Sequence, residues 1–507
     1  MIDVPAVPYF PDATADTPTF VGDSEWHPLI DGRDYLTELD AALRDLGPGD
    51  SVQLVGLQLW LGLDLSGRRP GAGGYEPLGR RLVALGAAGV HVRVLLAGEL
   101  IARWLPVPSL SGFRNNIKAA TELRTARPPG TAGPAPLAGS VLVDWSGERI
   151  GSNHQKLVIV QRAGVITAYV AGIDLVDNRF DSAPHDTLRL KGKRWGWHDA
   201  GVRLRGPAAA RVHEIAVQRW TEASTLPARF DGRHRRMNPR VVDAPLEPPP
   251  PQPRMDAPGT AVRVVRSVAG IKVPARLRGR QRSWDTMAAG GDQSVFTAIT
   301  TALEAAQRYV YLEDQYLGEY TGGKRQYELY PYLRDAAERG VKIVLLGSGV
   351  RDPEDPGIYL RPINSRLNRD LRRKLVARSS AVGRPGIAVW RLQHCTVHSK
   401  ILLVDDVFAC IGSANLFSRS MAGVDTEVSA TVSTTTSLVR ELRIRVWTEH
   451  LGAGPDDGEM HAELADLDCA LGIWQPAWLP PGAPSDHWAR WSANSQLRPV
   501  WPTRLKG

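Results

Sequence analysis

His398-Ser399-Lys400-Ile401-Leu402-Leu403-Val404-Asp405 and His154-Gln155-Lys156-Leu157-Val158-Ile159-Val160 are the two stretches whose reading decides the fold. Each is a His-x-Lys triplet that runs into an unbroken apolar segment. Side chains alternate along extended backbone, so the histidine and lysine of each triplet share a face. A short apolar run of this kind predicts a strand buried on both sides. Polar groups at the mouth of such a strand are placed where chemistry can be done on a rigid frame. One triplet alone reads as a surface accident. Two at matching points of one chain carry far more weight.

Outward from the triplets, the two halves of the chain repeat one order of elements. The first half predicts a helix over 36–46, a Gly47-Pro48-Gly49 break and a strand over 52–60. A second helix over 78–86 then leads into a strand over 89–96. The second half predicts a helix over 295–306 and a strand over 309–316, then a helix over 332–339 and a strand over 340–346. Alternating helical and extended periods predict an α/β chain with a buried sheet in each half. Matching order plus a shared motif predicts a duplication. Between the halves stand Pro248 to Pro251, a run that favours an extended, semi-rigid connector. The expected organisation is a first half over 1–225, a Pro-rich linker over 226–262, a second half over 263–455 and a Trp-rich tail over 456–507. That tail holds Trp474, Trp478, Trp488, Trp491 and Trp501, read first as packing against the body, with a membrane belt as the alternative. A Pro, Gly and Ala-rich stretch over 128–139 reads as an insertion, and 104–139 is a candidate lid.

The bulk properties narrow the class. A chain of 507 residues is too long for one core. The three cysteines, Cys395, Cys410 and Cys469, show neither a disulfide framework nor zinc-ligand spacing. Residues 1–20 lack a basic region followed by an apolar run, so no secretory signal is expected. The longest apolar segment, 54–65, is interrupted by Gln58 and Asp64 and is too short to span a bilayer. A cytoplasmic location is the expectation. The net charge of +8 suits an anionic partner, whether phosphate ester, membrane surface or nucleic acid, and equally suits a solvated surface. The basic run Arg361, Arg366, Arg369, Arg372, Arg373, Lys374 and Arg378 has partly helical spacing and reads first as a solvated face. No aromatic residues interleave with it, which weakens a single-stranded nucleic acid reading.

The motifs resemble the HKD signature of the phospholipase D superfamily, and the resemblance extends past them. Gly172-Ile173-Asp174-Leu175 with Arg179-Phe180-Asp181 resembles the GGIDL…RWD stretch of eukaryote-like members. Trp197-His198-Asp199 with Arg205-Gly206-Pro207-Ala208 resembles their WHD…GPA stretch, and Glu313-Asp314-Gln315-Tyr316 their ENQY element. Asn415, Arg419-Ser420-Met421, Asp425 and Glu427 continue the second motif, and Glu449-His450-Leu451-Gly452 resembles the closing helix. Recognisable pieces run from about residue 29 to 452. One departure stands out: Gln161 occupies the place of the first motif's aspartate, where the second has Asp405.

The resemblance implies a duplicated phospholipase D fold, two α/β/α sandwich halves with the active site at their interface. It implies hydrolysis of a glycerophospholipid to phosphatidate and a head-group alcohol through a phosphohistidine, with transfer to a second alcohol open from the same intermediate. Two histidines facing one cleft supply the nucleophile and the acid such a reaction needs. Lys156 and Lys400 fit as the cations on the phosphoryl oxygens, with Ser413 and Asn415 as neutral donors. By resemblance, His154 is the nucleophile and His398 the general acid. Asp199 is expected to hold His154, and Glu427 to hold His398. Asp174, Ser413, Asn415 and Asp405 are expected to line the cleft. For Asp181 and Asp425, solvated surface or salt-bridging is as good a reading as function. His185, His394 and His450 read as structural or surface histidines. No metal and no cofactor is implied, because two lysines neutralise the phosphate and no ligand cluster stands out. The expected partner is phospholipid at a membrane surface, met peripherally and transiently by a monomer, with nucleic acid disfavoured. The rivals are a cardiolipin or phosphatidylserine synthase-like phosphatidyltransferase, a nuclease of the same superfamily, and a non-catalytic protein that binds anionic ligands.

Overall fold

The computed structural model describes residues 9–98, 111–144, 151–183, 185–186, 188–190, 192–225, 249–268, 291–318, 324–349, 386–417, 419–454, 457–479 and 497–499. Two sheets dominate it. The first orders its strands Glu25–Ile30, Ala200–Arg205, Val165–Ala171, Leu157–Arg162, Ser51–Gly56, His91–Ala97 and Val141–Asp144. Within the second runs the series Thr260–Val268, Glu427–Thr434, Phe408–Gly412, Ile401–Val404, Tyr309–Glu313, Lys342–Ser348 and Ile387–Leu392. The two series match strand for strand. In each, the first five strands pair antiparallel and the last three pair parallel. The apolar runs behind the triplets, Leu157–Arg162 and Ile401–Val404, are the fourth strand of each series.

Those central strands are apolar on every residue because both of their faces are covered. Leu157 and Ile159 face one core, and Val158 and Val160 face another. In the second half, Ile401 and Leu403 share the first of these cores, while Leu402 and Val404 face a third. The shared core draws residues from both sheets and from four helices, Pro207–Thr225, Leu438–His450, Gly458–Ala465 and Leu467–Trp474. The outer cores lie under Asp31–Ala42, Leu78–Ala87 and Ser111–Thr125 in the first half. In the second half they lie under Ser294–Ala305 and Tyr330–Glu338. Each half is thus a sheet between helices, and the inner faces of the halves meet.

Several expectations shift. The strands expected over 52–60 and 309–316 end at Gly56 and Glu313. Side chains capture the backbone beyond these points. Asn116 accepts from Leu59 N and donates to Leu57 O. Asp174 accepts from Gln58 N, and Asp314 from Tyr316 N and Leu416 N. The helix Ser111–Thr125 is the crossover between two parallel strands, with Ala119, Ala120 and Leu123 buried beneath it, so the described part of 104–139 belongs to the body rather than to a lid. The second series begins at Thr260, inside the segment expected as linker. Before it, Gln252 accepts from Ile166 N on the first sheet. From the tail, Trp474 packs against Trp447 and Tyr311, and Leu497–Pro499 pairs antiparallel with Ile387–Leu392. The basic run over 361–378 and Trp488, Trp491 and Trp501 lie outside the described residues. Among the described residues, no helix is long and apolar enough to cross a membrane.

Candidate active site

The His-x-Lys triplets do not lie on the sheet strands. Both end just before them, since the strands start at Leu157 and Ile401. The segments leading into the triplets instead cross to the other half. Cys395–Val397 pairs in parallel with Gly196–His198, and His398 N and Ser399 N both donate to His198 O. On the opposite side, Asn153 bridges in parallel to Thr426, His154 N donates to Thr426 O, and Thr426 N donates to Ser152 O. These two small cross-connections are related as the halves are related.

This exchange of backbone corrects the expected pairing of carboxylates. His398 Nδ1 lies 2.7 Å from Asp199 Oδ2, and His154 Nδ1 lies 3.0 Å from Glu427 Oε2. Each imidazole is held by the other half, not by its own. The register gives the reason. His198 sits opposite Val397, so Asp199 comes beside His398; Thr426 sits opposite Asn153, so Glu427 comes beside His154. With Nδ1 of each ring committed to a carboxylate, Nε2 is the nitrogen left for chemistry.

The supporting contacts also match across the halves. Lys156 Nζ donates to His154 O at 3.1 Å, and Lys400 Nζ donates to His398 O. Ser413 Oγ and Ser420 Oγ donate to Glu427. Ser413 has its counterpart in Gly172, since Ser413 N donates to Val428 O and Gly172 N to Ala200 O. A side chain at 172 would put a Cβ 2.4 Å from Asp199 Oδ1, so glycine is needed where Asp199 approaches. Trp197 Nε1 donates to Asp199 Oδ2, and its ring packs on His398 with Arg179 on the ring at 3.5 Å. Asp174 Oδ2 stands 3.6 Å from Lys156 Nζ.

Burial and then the Lys400 ammonium hold His398 well below the usual imidazole range, against the pull of Asp199. Burial would raise the Asp199 carboxyl, but His398 and Lys400 outweigh it and hold the group well below the usual carboxylate range. Glu427 is likewise lowered against its burial, by His154 and the two serine hydroxyls. Burial pushes Lys400 down to about 8, with the Lys156 charge acting in the same direction and Asp199 opposing it. Burial pushes Asp314 up to about 7.

Asp405 is not a cleft residue. It follows the far end of its strand, where its oxygens accept from the backbone N–H groups of Gln307, Arg308 and Tyr309 and from Tyr9 Oη. It ties the start of the neighbouring strand. That also explains Gln161: in the first half the same tie comes from the partner strand, where Asp50 accepts from Ala163 N and Gly47 N. Asp181 and Asp425 are not solvated surface either. Asp181 accepts from Trp197 N and faces His185, while Asp425 accepts from Ser152 N and Arg419.

Behind the Asp199–His398 pair lies a buried cluster that sequence reasoning did not assemble. Asp31, His185, His198 and Glu449 converge from four distant positions, and Glu313 and His450 join through His198. The expectation that no ligand cluster exists is corrected here, because these side chains could hold a metal ion. His185 and His450 are buried, with exposures of 1% and 0%, so neither is a surface residue. The only signal in the sequence was that Asp181, His198, Glu313, Glu449 and His450 carried the family resemblance without a role.

With this geometry in place, comparison with known proteins is informative. A family described as "Cardiolipin synthase, PLD-like domain" matches residues 299–444. Phospholipase D alpha 1 of Nicotiana tabacum is 24% identical over 432 residues, 64% of this chain and 52% of that protein. Phospholipase D alpha 2 of Oryza sativa subsp. japonica is 24% identical over 514 residues, 79% of this chain and 62% of that protein. These matches support the phospholipase D superfamily resemblance carried by the motifs. The chain spans about half the length of the first of these relatives. Among solved structures, phosphatidylserine synthase of Haemophilus influenzae Rd KW20 superposes with a TM-score of 0.54 at 12% identity, over 84% of this chain and 85% of that one. That likeness supports a shared phospholipase D fold across both halves.

Proposed function

We propose that this phospholipase D superfamily member is a phosphodiesterase that cleaves glycerophospholipids on the head-group side, giving phosphatidate and an alcohol. The observation that carries the reading is the crossed pair of tethered imidazoles, His154 with Glu427 and His398 with Asp199, flanked by Lys156 and Lys400. Following the family, His154 Nε2 attacks phosphorus. The bond from phosphorus to the head-group oxygen breaks, and the His398 imidazolium gives its proton to the departing oxygen. The neutral His398 then takes a proton from water. The resulting hydroxide attacks phosphorus, and the phosphorus–nitrogen bond breaks to restore His154. Lys156 and Lys400 neutralise the phosphoryl oxygens throughout, with Ser413 and Asn415 as neutral donors and Asp174 beside Lys156.

Burial and the Lys400 charge disfavour the protonated form of His398. The arriving phosphodiester supplies the negative charge that favours its protonation, which makes the acid ready only when substrate is bound. On this reading the protein works as a cytoplasmic monomer that meets the lipid surface peripherally. A phosphatidyltransferase reading uses the same steps with an alcohol in place of water, and is favoured by the cardiolipin synthase description of the matched family. Phosphatidylcholine vesicles and single-stranded DNA, assayed side by side with mass-spectrometric product detection, test the proposal. Release of phosphatidate and choline is the expected outcome, and added glycerol or ethanol reports transfer. Cleavage of DNA with no lipid turnover would replace the reading with a nuclease, and no turnover of either would leave only a binding protein.

A further inference from the structure

We propose that Asp31, His185, His198 and Glu449 form a closed, structural zinc site that clamps the two halves together behind His398. One potential ligand atom from each of the four side chains lies within 4.8 Å of the other three. Glu449 Oε1 lies 2.9 Å from His185 Nε2 and 2.8 Å from His198 Nδ1. Asp31 lies 3.1 Å from His198 Nδ1 and 4.0 Å from His185 Nε2. Tetrahedral zinc with bonds of roughly 2.0–2.1 Å separates its ligands by about 3.3–3.4 Å, inside this range. Two imidazoles and two carboxylates are a ligand set that zinc accepts.

The outer contacts fit a metal as well as the inner ones. A histidine ligand is normally oriented by a carboxylate on its other nitrogen. His185 Nδ1 faces Asp181 Oδ2 at 3.0 Å, and His198 Nε2 faces Glu313 Oε2 at 2.9 Å. Both outer carboxylates are fixed in turn, Asp181 by Trp197 N and Glu313 by Ser399 Oγ and His450 Nε2. Charge points the same way. Asp31, Asp181, Glu313 and Glu449 are four buried carboxylates gathered on three imidazoles. Uncompensated charge at such depth costs several kcal/mol per ion, roughly, and a divalent cation offsets two of the four.

All four ligands are buried, so no position is open to substrate and the role is structural. Three ligands belong to the first half, and Glu449 ends the helix Leu438–His450 of the second. His198 is also the residue whose carbonyl accepts from His398 N and Ser399 N. An ion here would fix the backbone that presents both Asp199 and His398.

The full chain, expressed with zinc in the medium and purified without chelators, should carry about one zinc per chain by plasma mass spectrometry. The metal should survive dialysis against EDTA, and X-ray absorption should report four nitrogen or oxygen neighbours and no sulfur. Asp405→Asn, far from the cluster, should keep the ion, and His185→Ala should lose at least about four-fifths of it and melt at lower temperature. A stoichiometry near zero in the wild-type protein, with no uptake and no rise in melting temperature when zinc is added, overturns the proposal even if His185→Ala fails to fold. Sulfur neighbours, or zinc retained in a folded His185→Ala protein, would also overturn it. None of these readouts depends on which lipid the enzyme cleaves.

Discussion

His154 and His398 are each held at Nδ1 by a carboxylate of the opposite half, and the crossed pairing makes their roles testable. An activated phosphodiester such as a p-nitrophenyl ester leaves without much help from an acid. His398→Ala should therefore keep a burst of phenolate, whereas His154→Ala should give none, and each should lose about four orders of magnitude or more in lipid turnover. The tethers extend the test. Because Asp199 holds His398 and Glu427 holds His154, Asp199→Asn should behave like His398→Ala, and Glu427→Gln like His154→Ala. A burst in His154→Ala with silence in His398→Ala would exchange the two roles, and the tether variants would exchange with them. Lys400 gives a second prediction at this scale. Its folded-state value of about 8 lies below the 10.5 usual for a lysine side chain. Activity should decline as pH rises through about 8, as the phosphate loses one of its cations. Between 8 and 10.5 the unfolded chain keeps a proton on Lys400 that the folded chain has shed, so the unfolded state binds more protons there and this residue adds stability as pH rises. Lys400→Met should remove that stability slope. A wild-type activity profile flat to pH 10 would mean that Lys400 stays charged in its site.

Among the elements, the central strands were the easiest to read and the crossings the hardest. Runs such as Leu157-Val158-Ile159-Val160 state their own burial, because both faces must be apolar when both are covered. The repeated order of helices and strands showed the duplication for the same reason: it is local periodicity, twice over. The two short cross-connections have no such signature. Gly196–His198 and Cys395–Val397 are three residues each, and nothing in either shows that they pair. That is why Asp199 and Glu427 could be picked from the sequence but not matched to their histidines. Asp405 misled in a related way, since sequence adjacency to the triplet suggested a cleft role that the length of the strand denies. Its work is at the strand end, and Asp50 does that work in the first half. Asp405→Ala releases the half-buried Tyr309 N, two exposed backbone donors and the half-buried Tyr9 hydroxyl, a loss of about 2 kcal/mol. Asp50→Ala loses two contacts instead of four, one half-buried and one exposed, and about 1 kcal/mol. Calorimetry should rank Asp405→Ala clearly below Asp50→Ala in melting temperature, with wild-type burst amplitude in the folded fraction of both. Loss of the burst in a well-folded Asp405→Ala protein would return that residue to the chemistry.

For the molecule as a whole, the exchange of tethers means that neither half contains a working site. Each imidazole takes its orientation from across the interface, so the arrangement of the halves and the chemistry stand or fall together. The buried cluster of Asp31, His185, His198 and Glu449 spans that same interface, yet touches the reaction only through the His198 backbone. In the proposed mechanism Lys156 and Lys400 meet the charge on the phosphate, and that role needs no metal. Native enzyme assayed in excess EDTA should therefore turn over lipid at close to its untreated rate. The lysines supply the neutralising charge, and an enclosed ion would leave only when the chain unfolds. Unfolding and refolding in EDTA is the contrasting arm: activity should return poorly there and improve when zinc is present during refolding. Immediate loss of activity on adding EDTA to the native protein, with rescue by one particular divalent ion, would place a metal on the substrate and remove Lys156 and Lys400 from their role.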